Sequence, residues 1–330
     1  MQRIIFVPQY PTPMRYQEWW ITEFPKKFKE AGFDVITLGE GKHYNSTMAS
    51  KEMFSPIQKA IEFETEQIKE YMDLKLEDDD ILFLADLSFP GFFSNVFVHK
   101  YPKRMFAFCH ATSINYKDYF APVWMYKYPI EKTHGEMFNA VFLGSDYHDL
   151  KLNWGNTIVT RLPYPPFKGK SVERKDKYFD IISASRPTPQ KVDLELENEI
   201  GEIFSPVNRP VVETWDDYFK NLAYSRILLI TSYEDTFGYQ IVDAVLNGCI
   251  PLAPNRCAYP ELLPKEYLYN DKNELIRKID YILNSDHGVP YLSDSPYVVP
   301  VPKLLCDQEM KDFYNNIIQI MKGEPEGDAI

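Results

Sequence analysis

Three acidic side chains surround the start of one predicted helix in the second half of the chain. Glu234 and Asp235 follow the apolar run RILLITS and precede a Phe-Gly pair, and Asp243 comes eight positions after Asp235. An acid directly before a helix often caps its first turn. The free N–H groups of a helix N-terminus also suit a phosphate, and carboxylates hold sugar hydroxyls through charge-assisted hydrogen bonds. These residue types therefore fit either a helix cap or a site for a polar ligand.

Two basic residues follow another predicted strand of the second half. The run FDIISAS continues into RPTPQK, so Arg186 comes just after the strand and Lys191 comes five positions later. Fixed cations stabilise the charge that grows on a diphosphate leaving group. We therefore predict that Arg186 and Lys191 bind a diphosphate, against the alternative that both are ordinary surface residues.

The first half has its own polar residues at predicted strand ends. His110 ends the run RMFAFCH and is followed by small polar residues that include Ser113, and Asp86 lies at the end of ILFLADL. A lone histidine beside a core strand is often structural, but ligands of α/β sheets bind beyond strand ends, which favours a binding role. Aromatic residues also cluster after the first strand, where they would either stack a base or pack the core. They are Tyr10, Tyr16, Trp19 and Trp20, with Arg15 beside them.

Three further patterns do not support a metal site or a P-loop. The D-x-D sequence of Asp78 and Asp80 precedes a predicted strand instead of ending one, which favours a solvated turn. The sequence Gly169-Lys170-Ser171 lacks the earlier glycine that a P-loop requires, because that position is Tyr164. The six histidines show no metal-ligand spacing. We therefore expect neither a bound metal nor a cofactor.

Short apolar strands alternate with helical stretches along the chain, an order typical of parallel sheets built from βαβ units. The predicted strands are RIIFVP, DVITLG, DILFLADL, RMFAFCH, NAVFLGS, NTIVTRLP, FDIISAS, RPVVET, RILLITS, CIPLAPN and YLYN. The predicted helices cover residues 18–31, 56–71, 190–204, 216–224, 238–247, 272–284 and 307–321. A proline-rich and then charged stretch, 162–178, separates the two halves, so we expect two open α/β domains with a cleft between them.

Composition limits the partners of the protein. The 330 residues carry a net charge of −12, which argues against broad electrostatic binding of nucleic acid. Residues 1–165 hold 18 basic against 21 acidic side chains and the remainder 18 against 27, so the first half repels a polyanion less. No apolar run reaches the roughly 18 residues of a membrane span, so no membrane partner is expected. The four cysteines form no C-x-x-C pair, which suits a reducing cytoplasm.

The acidic segment resembles the donor-binding segment of retaining GT-B glycosyltransferases, especially family 4. The resemblance covers about 45 residues, Arg226 to Asp271, and is carried by these positions: Asp235-Thr236-Phe237-Gly238, Asp243-Ala244-Val245, Gly248, Pro251, Asn255 and Tyr259-Pro260-Glu261. The Gly-Cys, Pro-Asn and Tyr-Pro-Glu pairings look closest to the tRNA-queuosine mannosyltransferases. The family usually has Glu at both acid positions, whereas this chain has Asp, which is one methylene shorter.

The resemblance implies a fold, a binding role for each domain and a reaction. The fold would be GT-B, two Rossmann-like domains facing each other across a cleft. Residues 1–165 would bind the acceptor, 166–178 would link the domains, 179–304 would bind a UDP or GDP sugar, and 305–330 would form a C-terminal helix and tail. A hexose or pentose would move to an acceptor hydroxyl with retention of configuration, and the leaving phosphate would take the acceptor proton. No metal is implied.

The resemblance also implies roles for single residues. Arg186 and Lys191 would hold the diphosphate, and His110 would lie near the hydroxyls of the donor sugar. The donor-binding set would be Glu234, Asp235, Thr236, Phe237, Gly238 and Asp243, in which Asp243 binds the ribose and Asp235 or Glu234 binds the transferred sugar. Candidate acceptor contacts are Asp86, Ser113, Tyr16 and Trp19.

The acceptor stays open at this point. The resemblance favours a modified base in tRNA or DNA, because viral enzymes that glucosylate DNA bases share the fold; such an enzyme would work in the cytoplasm, that of the host if the chain is viral. The net charge favours a polysaccharide or small metabolite instead. Because both motif acids are shortened, a nucleotide-sugar epimerase or a binding protein without turnover is a further alternative.

Overall fold

The computed structural model describes most of the chain, namely residues 1–12, 14–39, 57–87, 101–116, 121–166, 172–173, 176–185, 188, 190–284 and 301–323. The chain divides into two compact units. The first combines Met1–Pro163 with Gln308–Ile330, and the second is Tyr164–Asp307. No helix among the described residues is both long enough and apolar enough to cross a membrane.

The first unit is built on a parallel sheet of six strands in the order β2-β1-β3-β4-β5-β6. The strands are β1 Arg3–Val7, β2 Asp34–Thr37, β3 Ile81–Leu84, β4 Arg104–Phe108, β5 Ala140–Leu143 and β6 Thr157–Val159. β1, β3, β4 and β5 are apolar along almost their whole length because both faces of the sheet are covered, so the strands do not alternate. All six predicted strands of this half are confirmed.

Helices pack on the sheet of the first unit: α1 Tyr16–Glu30, α2 Ile57–Asp73, α3 Trp124–Glu136, α4 Asp146–Leu152 and, from the end of the chain, α10 Asp307–Lys322. The last of these helices returns to the first unit. Phe313 of α10 packs within 6.1 Å, between ring centroids, of Trp20 and Phe24 on α1. Met310, Phe313, Ile317 and Met321 share one buried face because their spacing follows the helical period.

The second unit contains a parallel sheet of four strands in the order β10-β9-β8-β7. The strands are β7 Phe179–Ile182, β8 Ser225–Leu229, β9 Ile250–Pro254 and β10 Leu268–Tyr269. The strand predicted over RPVVET, 209–214, is wrong. A single parallel bridge joins Ile182 to Asn208, and no strand follows it. Pro210 has no N–H for a ladder, and the Arg209 side chain is hydrogen-bonded to the loop after β7.

Five helices complete the second unit: α5 Leu194–Ile203, α6 Trp215–Ala223, α7 Tyr239–Leu246, α8 Tyr259–Leu262 and α9 Lys272–Asn284. The helix predicted from 190 begins only at Leu194, because Asp193 accepts the N–H of Leu196 as an N-cap. Thr214 caps α6 in the same way by accepting from Asp217. The other predicted helices of this half are confirmed within one or two residues.

The stretch predicted to link the domains is held to the second unit at its end. The ammonium of Lys177 is buried and donates to the carbonyl oxygens of Ala223, Ser225 and Gly248, each at 2.8 Å. Three carbonyl acceptors near helix C-termini replace the water that a buried ammonium loses. Lys177 therefore has a structural role.

Candidate functional site

The strand order of the second sheet reverses at β7. Ile182 of β7 pairs with Leu228 of β8 on one side and forms a bridge with Asn208 on the other. After β7 the chain therefore first passes along the Asn208 side of the strand and then crosses to the opposite side to form β8. Ligands of open α/β sheets bind beyond the carboxyl ends of the two strands where this happens. The candidate site therefore lies in the loops after β7 and β8.

These two loops are hydrogen-bonded to each other. The N–H groups of Tyr233 and Glu234 both donate to the Gln190 carbonyl, at 2.8 and 3.2 Å. The Ser232 hydroxyl donates to the Lys191 carbonyl at 2.9 Å. The loop after β8 is thus hydrogen-bonded to the turn after β7. The two segments that carry the predicted donor residues therefore form one surface.

Lys191 and Asp235 meet on this surface. The Lys191 ammonium lies 2.9 Å from Asp235 Oδ2 and donates to the Glu234 carbonyl at 3.0 Å. Both side chains are partly accessible, at 20% for Lys191 and 15% for Asp235. A residue predicted to bind phosphate and a residue predicted to bind sugar are therefore adjacent, although 44 positions separate them in sequence.

Asp235 also organises the start of α7. Its Oδ1 accepts the N–H of Phe237 at 3.3 Å, and its Oδ2 receives the hydroxyl of Tyr259 at 3.4 Å. The helix-cap alternative for Asp235 is wrong, because the N-cap of α7 is Gly238 and no side chain caps it. One carboxylate oxygen of Asp235 instead holds the turn before α7, and the other contacts Lys191.

Gly238 is required at this turn for two reasons. Its φ of +98° lies in the left-handed region, and a Cβ on it would come within 2.9 Å of the Tyr259 ring. The neighbouring Phe237 is buried and packs edge-on against Tyr239. Thr236 is partly exposed, whereas Glu234 is buried. Of the two candidate acids, Asp235 is thus the more accessible.

Asp243 is buried on α7 against α6. The hydroxyl of Tyr218 donates to Asp243 Oδ2 at 3.0 Å. Burial raises the pKa of the Asp243 carboxyl to about 7, although the bond from Tyr218 lowers it. Burial also raises the pKa of Tyr218 well above its usual value, and Asp243 adds to this. The carboxyl is therefore partly protonated near neutral pH. Its predicted role on a ribose stays a prediction.

An ion pair between the buried Glu197 and the partly buried Arg209 was not predicted from the sequence. Arg209 donates to Glu197 and, at 2.9 Å, to the Ser183 hydroxyl. Glu197 also accepts from Ser183 at 2.8 Å and from Thr231 at 3.1 Å. The four residues come from separate segments of the chain. The three partners of Glu197 lie 12 to 34 positions from it in sequence. No local motif connects them, so only the folded chain reveals the network.

The same network holds the backbone that precedes Arg186. Arg209 donates to the Ser185 carbonyl at 2.8 Å, and the Ser185 hydroxyl donates to Gln240 Oε1 on α7 at 2.8 Å. Arg186 itself lies outside the described residues, so its predicted role stays a prediction. Its neighbour Ser185 is nevertheless fixed from two sides, which sequence reasoning did not anticipate.

In the first unit, His110 lies in an aromatic cage at the end of β4. Its ring centroid is 4.2 Å from Tyr16, 4.6 Å from Phe108 and 4.8 Å from Trp20. Burial, together with the nearby His148, holds the pKa of His110 well below its usual value despite a hydrogen bond to the Ala85 backbone. His110 is therefore neutral at neutral pH and suited to hydrogen bonding instead of charge stabilisation.

Asp86 belongs to a chain of polar side chains between β1 and β3, where the order of the first sheet reverses. Gln9 donates to Asp86 Oδ2 at 2.6 Å, and Gln17 donates to Gln9 Oε1 at 2.9 Å. Both glutamines line hollows at this edge and were not predicted. Glutamine belongs to no motif at these positions, so nothing in the sequence pattern selects either residue.

The remaining acceptor candidates are mostly enclosed. Ser113 is buried and donates both its N–H and its hydroxyl to Glu131, at 3.0 and 2.6 Å. Trp19 is buried edge-on against Trp20, whereas Tyr16 is partly exposed. The acceptor roles of Ser113, Trp19 and Tyr16 stay predictions, and Tyr16 is the most accessible of the three.

One group of carboxylates among the described residues comes close enough to share a cation, Glu77 with Asp79 and Asp80. It precedes β3 and lies at the opposite edge of the sheet from the strand ends. The Asp80 carboxylate is paired with Arg3 at 2.6 Å and accepts the Glu77 N–H at 2.8 Å. The D-x-D pattern is therefore a turn, as predicted, but the expectation that it is solvated is wrong for Asp80, which is fully buried and paired with Arg3. The expectation that no metal is needed stays a prediction.

Comparison with known proteins adds a short sequence match and a set of full-length structural matches. No protein-family model matches the chain. A curated tRNA-queuosine alpha-mannosyltransferase of Drosophila melanogaster is 41% identical over 64 residues. That stretch is 19% of this chain and 17% of the mannosyltransferase.

The structural matches span nearly the whole chain. A sucrose-phosphate synthase of Thermosynechococcus elongatus superposes with a TM-score of 0.63 at 13% identity, covering 98% of both chains. The E. coli trehalose-6-phosphate enzyme bound with UDP-2-fluoro glucose gives 0.61 at 12% identity, over 97% of this chain and 99% of that one. A lipopolysaccharide outer core galactosyltransferase gives 0.57 at 12% identity, over 98% and 99%.

The chain has the GT-B fold. The predicted resemblance to retaining GT-B glycosyltransferases is confirmed, as are the two Rossmann-like α/β domains. One of the matched trehalose-6-phosphate synthase structures concerns glycosyl transfer with retention. Because these identities are low, the structural likeness defines the GT-B fold alone.

Proposed function

We propose that this GT-B protein is a retaining glycosyltransferase that moves a sugar from a nucleoside diphosphate to an acceptor hydroxyl. The observation that carries the proposal is the Lys191–Asp235 pair, 2.9 Å apart, at the edge where the second sheet reverses its strand order. The E. coli neighbour bound with UDP-2-fluoro glucose supports a nucleotide-sugar donor.

The second unit supplies the donor contacts in this proposal. Lys191 and Arg186 hold the diphosphate, whose negative charge grows as the bond to the sugar breaks. Asp235 holds hydroxyls of the transferred sugar, since its carboxylate is more accessible than that of Glu234. Asp243 binds the ribose in the proposed assignment, which requires it to exchange the Tyr218 hydroxyl for a ribose hydroxyl.

The reaction balances without a protein base. The bond between the anomeric carbon and the phosphate oxygen breaks, the bond to the acceptor oxygen forms on the same face, and the acceptor proton moves to the leaving phosphate. Neutral His110 donates or accepts a hydrogen bond at a sugar hydroxyl, in keeping with the lowered pKa of its ring.

For the acceptor we propose a modified base in tRNA or DNA. The similarity to a tRNA-queuosine alpha-mannosyltransferase supports this class. The charge of −12 requires that recognition depends on a few local contacts and on stacking, not on a broad basic surface. Such an acceptor implies action in the cytoplasm.

The test combines donor and acceptor assays. The purified protein is incubated with a panel of UDP and GDP sugars, and nucleosides from DNA and RNA of cells with and without the protein are analysed by mass spectrometry. We expect a hexose or pentose mass increment on one nucleoside, absent with Lys191→Ala and present with Lys272→Ala, an exposed control lysine.

Other outcomes separate the parts of the proposal. Donor turnover with transfer only to a free sugar or glycan would overturn the nucleic-acid acceptor and leave the donor site standing. Conversion of the donor into its epimer without transfer would identify an epimerase. No binding of any nucleotide sugar would reject the enzyme assignment itself.

A further inference from the structure

Three basic side chains are described near the carboxyl edge of β7, β8 and β9, and they differ in how their charge is compensated. Lys191 is paired with Asp235, and Arg209 is paired with Glu197. Arg256, which follows β9, is exposed, and no carboxylate of the described residues forms an ion pair with it. Arg256 therefore brings a positive charge to this edge that its surroundings do not neutralise.

Arg256 is nevertheless held in place. Its Nε and Nη2 both donate to the Ser232 carbonyl, at 3.1 and 2.8 Å, and its guanidinium lies over the Tyr233 ring, 5.0 Å from the centroid. Within the described part of the chain, Nη1 has no hydrogen-bond acceptor. Ordering an arginine side chain costs conformational entropy, and because that cost is already met here, the guanidinium is prepared to bind an anion through Nη1.

The backbone around Arg256 adopts an unusual conformation. Cys257 has a φ of +55°, in the left-handed region that residues other than glycine seldom adopt. The Asn255 N–H donates to the Tyr269 carbonyl of β10, and the Arg256 N–H donates to Pro254, at 2.8 and 2.7 Å. This tight turn directs the chain back so that Arg256 covers the loop after β8. Strain of this kind occurs preferentially at ligand sites.

Ser232 connects Arg256 to the candidate donor site. Its carbonyl accepts from Arg256, and its hydroxyl donates to the carbonyl of Lys191. Glu234 and Asp235 follow two and three positions later. Arg256, whose charge is not compensated, and Lys191, which is predicted to bind phosphate, are therefore both hydrogen-bonded to Ser232.

We propose that Arg256 is a further anion contact of the second unit and that its ligand is the phosphate groups of the nucleoside diphosphate. The proposal rests on the donor function given above. A guanidinium is always charged, and the Nη1 of Arg256 carries N–H groups that can donate to phosphate oxygens in charge-assisted hydrogen bonds. Lys191 must share its charge with Asp235, whereas Arg256 supplies a full charge to the diphosphate.

The test separates phosphate binding from binding of the nucleoside. Dissociation constants of UDP and GDP, and of uridine and guanosine, are measured by calorimetry for the wild type, Arg256→Ala, Arg256→Gln and Arg256→Lys. Arg277→Ala, an exposed arginine on α9, is the matched control. We expect Arg256→Ala and Arg256→Gln to weaken binding of the diphosphates roughly tenfold to a hundredfold. Arg256→Lys should retain part of the affinity, and nucleoside binding and the control should stay unchanged.

The contrary outcomes are distinct. Unchanged UDP and GDP affinity in Arg256→Gln would overturn the role of Arg256 and leave the donor site standing. Weaker binding of a single-stranded oligonucleotide, with unchanged diphosphate affinity, would assign the guanidinium to acceptor phosphates and so also overturn the proposal. If the wild type binds neither diphosphate, this inference and the proposed function both fail.

Discussion

The two sheets present different chemistry at their carboxyl edges. In the first unit the end of β4 is aromatic, with His110 enclosed by Tyr16, Phe108 and Trp20, and Asp86 at the end of β3 accepts from the Gln9 amide. In the second unit the corresponding edge carries the ion pairs Lys191–Asp235 and Arg209–Glu197. The same parallel βαβ architecture therefore supports an aromatic cage in one unit and a pair of ion pairs in the other.

This difference shows what each edge is able to bind. Apolar surroundings keep the His110 ring neutral, because burial disfavours the charged form. At the second edge the buried Glu197 carboxylate has a charged partner, Arg209, and accepts hydrogen bonds from the hydroxyls of Ser183 and Thr231. A diphosphate requires the second environment, whereas a stacked ring requires the first.

The largest effect is expected from removing the buried acid of the second edge. Glu197→Ala leaves Arg209 without its partner and the hydroxyls of Ser183 and Thr231 without their acceptor, so the free energy of unfolding should fall by about 3–5 kcal/mol. Chemical denaturation measures it. Glu199→Ala, which breaks an exposed pair with Lys272, should cost less than about 1 kcal/mol. Equal losses in the two variants would contradict the contrast between buried and exposed pairs.

The next effect concerns Lys191 itself. Lys191→Ala should raise the activation free energy of transfer by about 2–4 kcal/mol, because a cation that stabilises the leaving diphosphate is lost. Arg186→Ala should behave alike if the sequence prediction for that residue holds. Steady-state kcat/KM provides the measurement, with Lys272→Ala as control. Unchanged kcat/KM in Lys191→Ala would remove the lysine from the donor site.

A smaller effect, on use of the acceptor, is expected at the carboxyl edge of the first sheet. Tyr16→Ala should weaken use of a nucleic-acid acceptor by about 1–3 kcal/mol, the range for one stacked base, and should leave the affinity for UDP and GDP intact, because the second unit is proposed to bind the diphosphate. Tyr101→Ala, at the amino-terminal end of the same sheet, serves as control. The salt dependence of acceptor binding should be shallow, on the order of two or three ions. A loss of diphosphate affinity in Tyr16→Ala would contradict the division between the two edges.

The smallest effect for a single step of the experiment, one pH unit, is the dependence of stability on pH that comes from Asp243. Its pKa in the folded protein is raised to about 7, so the folded state keeps a proton that the unfolded chain loses near pH 4. Stability should therefore fall as the pH rises from about 4 to 7, by at most about 1.4 kcal/mol per pH unit, and level off above this window.

Asp243→Asn should remove that part of the pH dependence, while Asp216→Asn, an exposed acid on α6, should not. Denaturation at pH 5, 6, 7 and 8 measures the slopes. Parallel slopes for Asp243→Asn and the wild type would show that the Asp243 carboxyl titrates in its ordinary range.

The sequence by itself determined the local structure and the family resemblance. Apolar runs such as ILFL and AVFL predicted buried parallel strands, and the last helix was predicted over residues 307–321, where the structure has it. These signals are short in range, because strand and helix periods repeat within a few residues. The acid spacing around Asp235 indicated the GT-B family for the same reason, since its motif lies within one helix start.

Only the tertiary structure decided which side chains meet. It brought Lys191 to Asp235, enclosed Asp243 against Tyr218, and joined Glu197 of α5 to Arg209 of the irregular segment that follows Asn208. It also replaced the predicted strand at 209–214 by an irregular segment, because the Arg209 side chain is hydrogen-bonded to the β7 loop. Contacts of this kind depend on the burial and desolvation of groups far apart in sequence, and no local pattern encodes those energies.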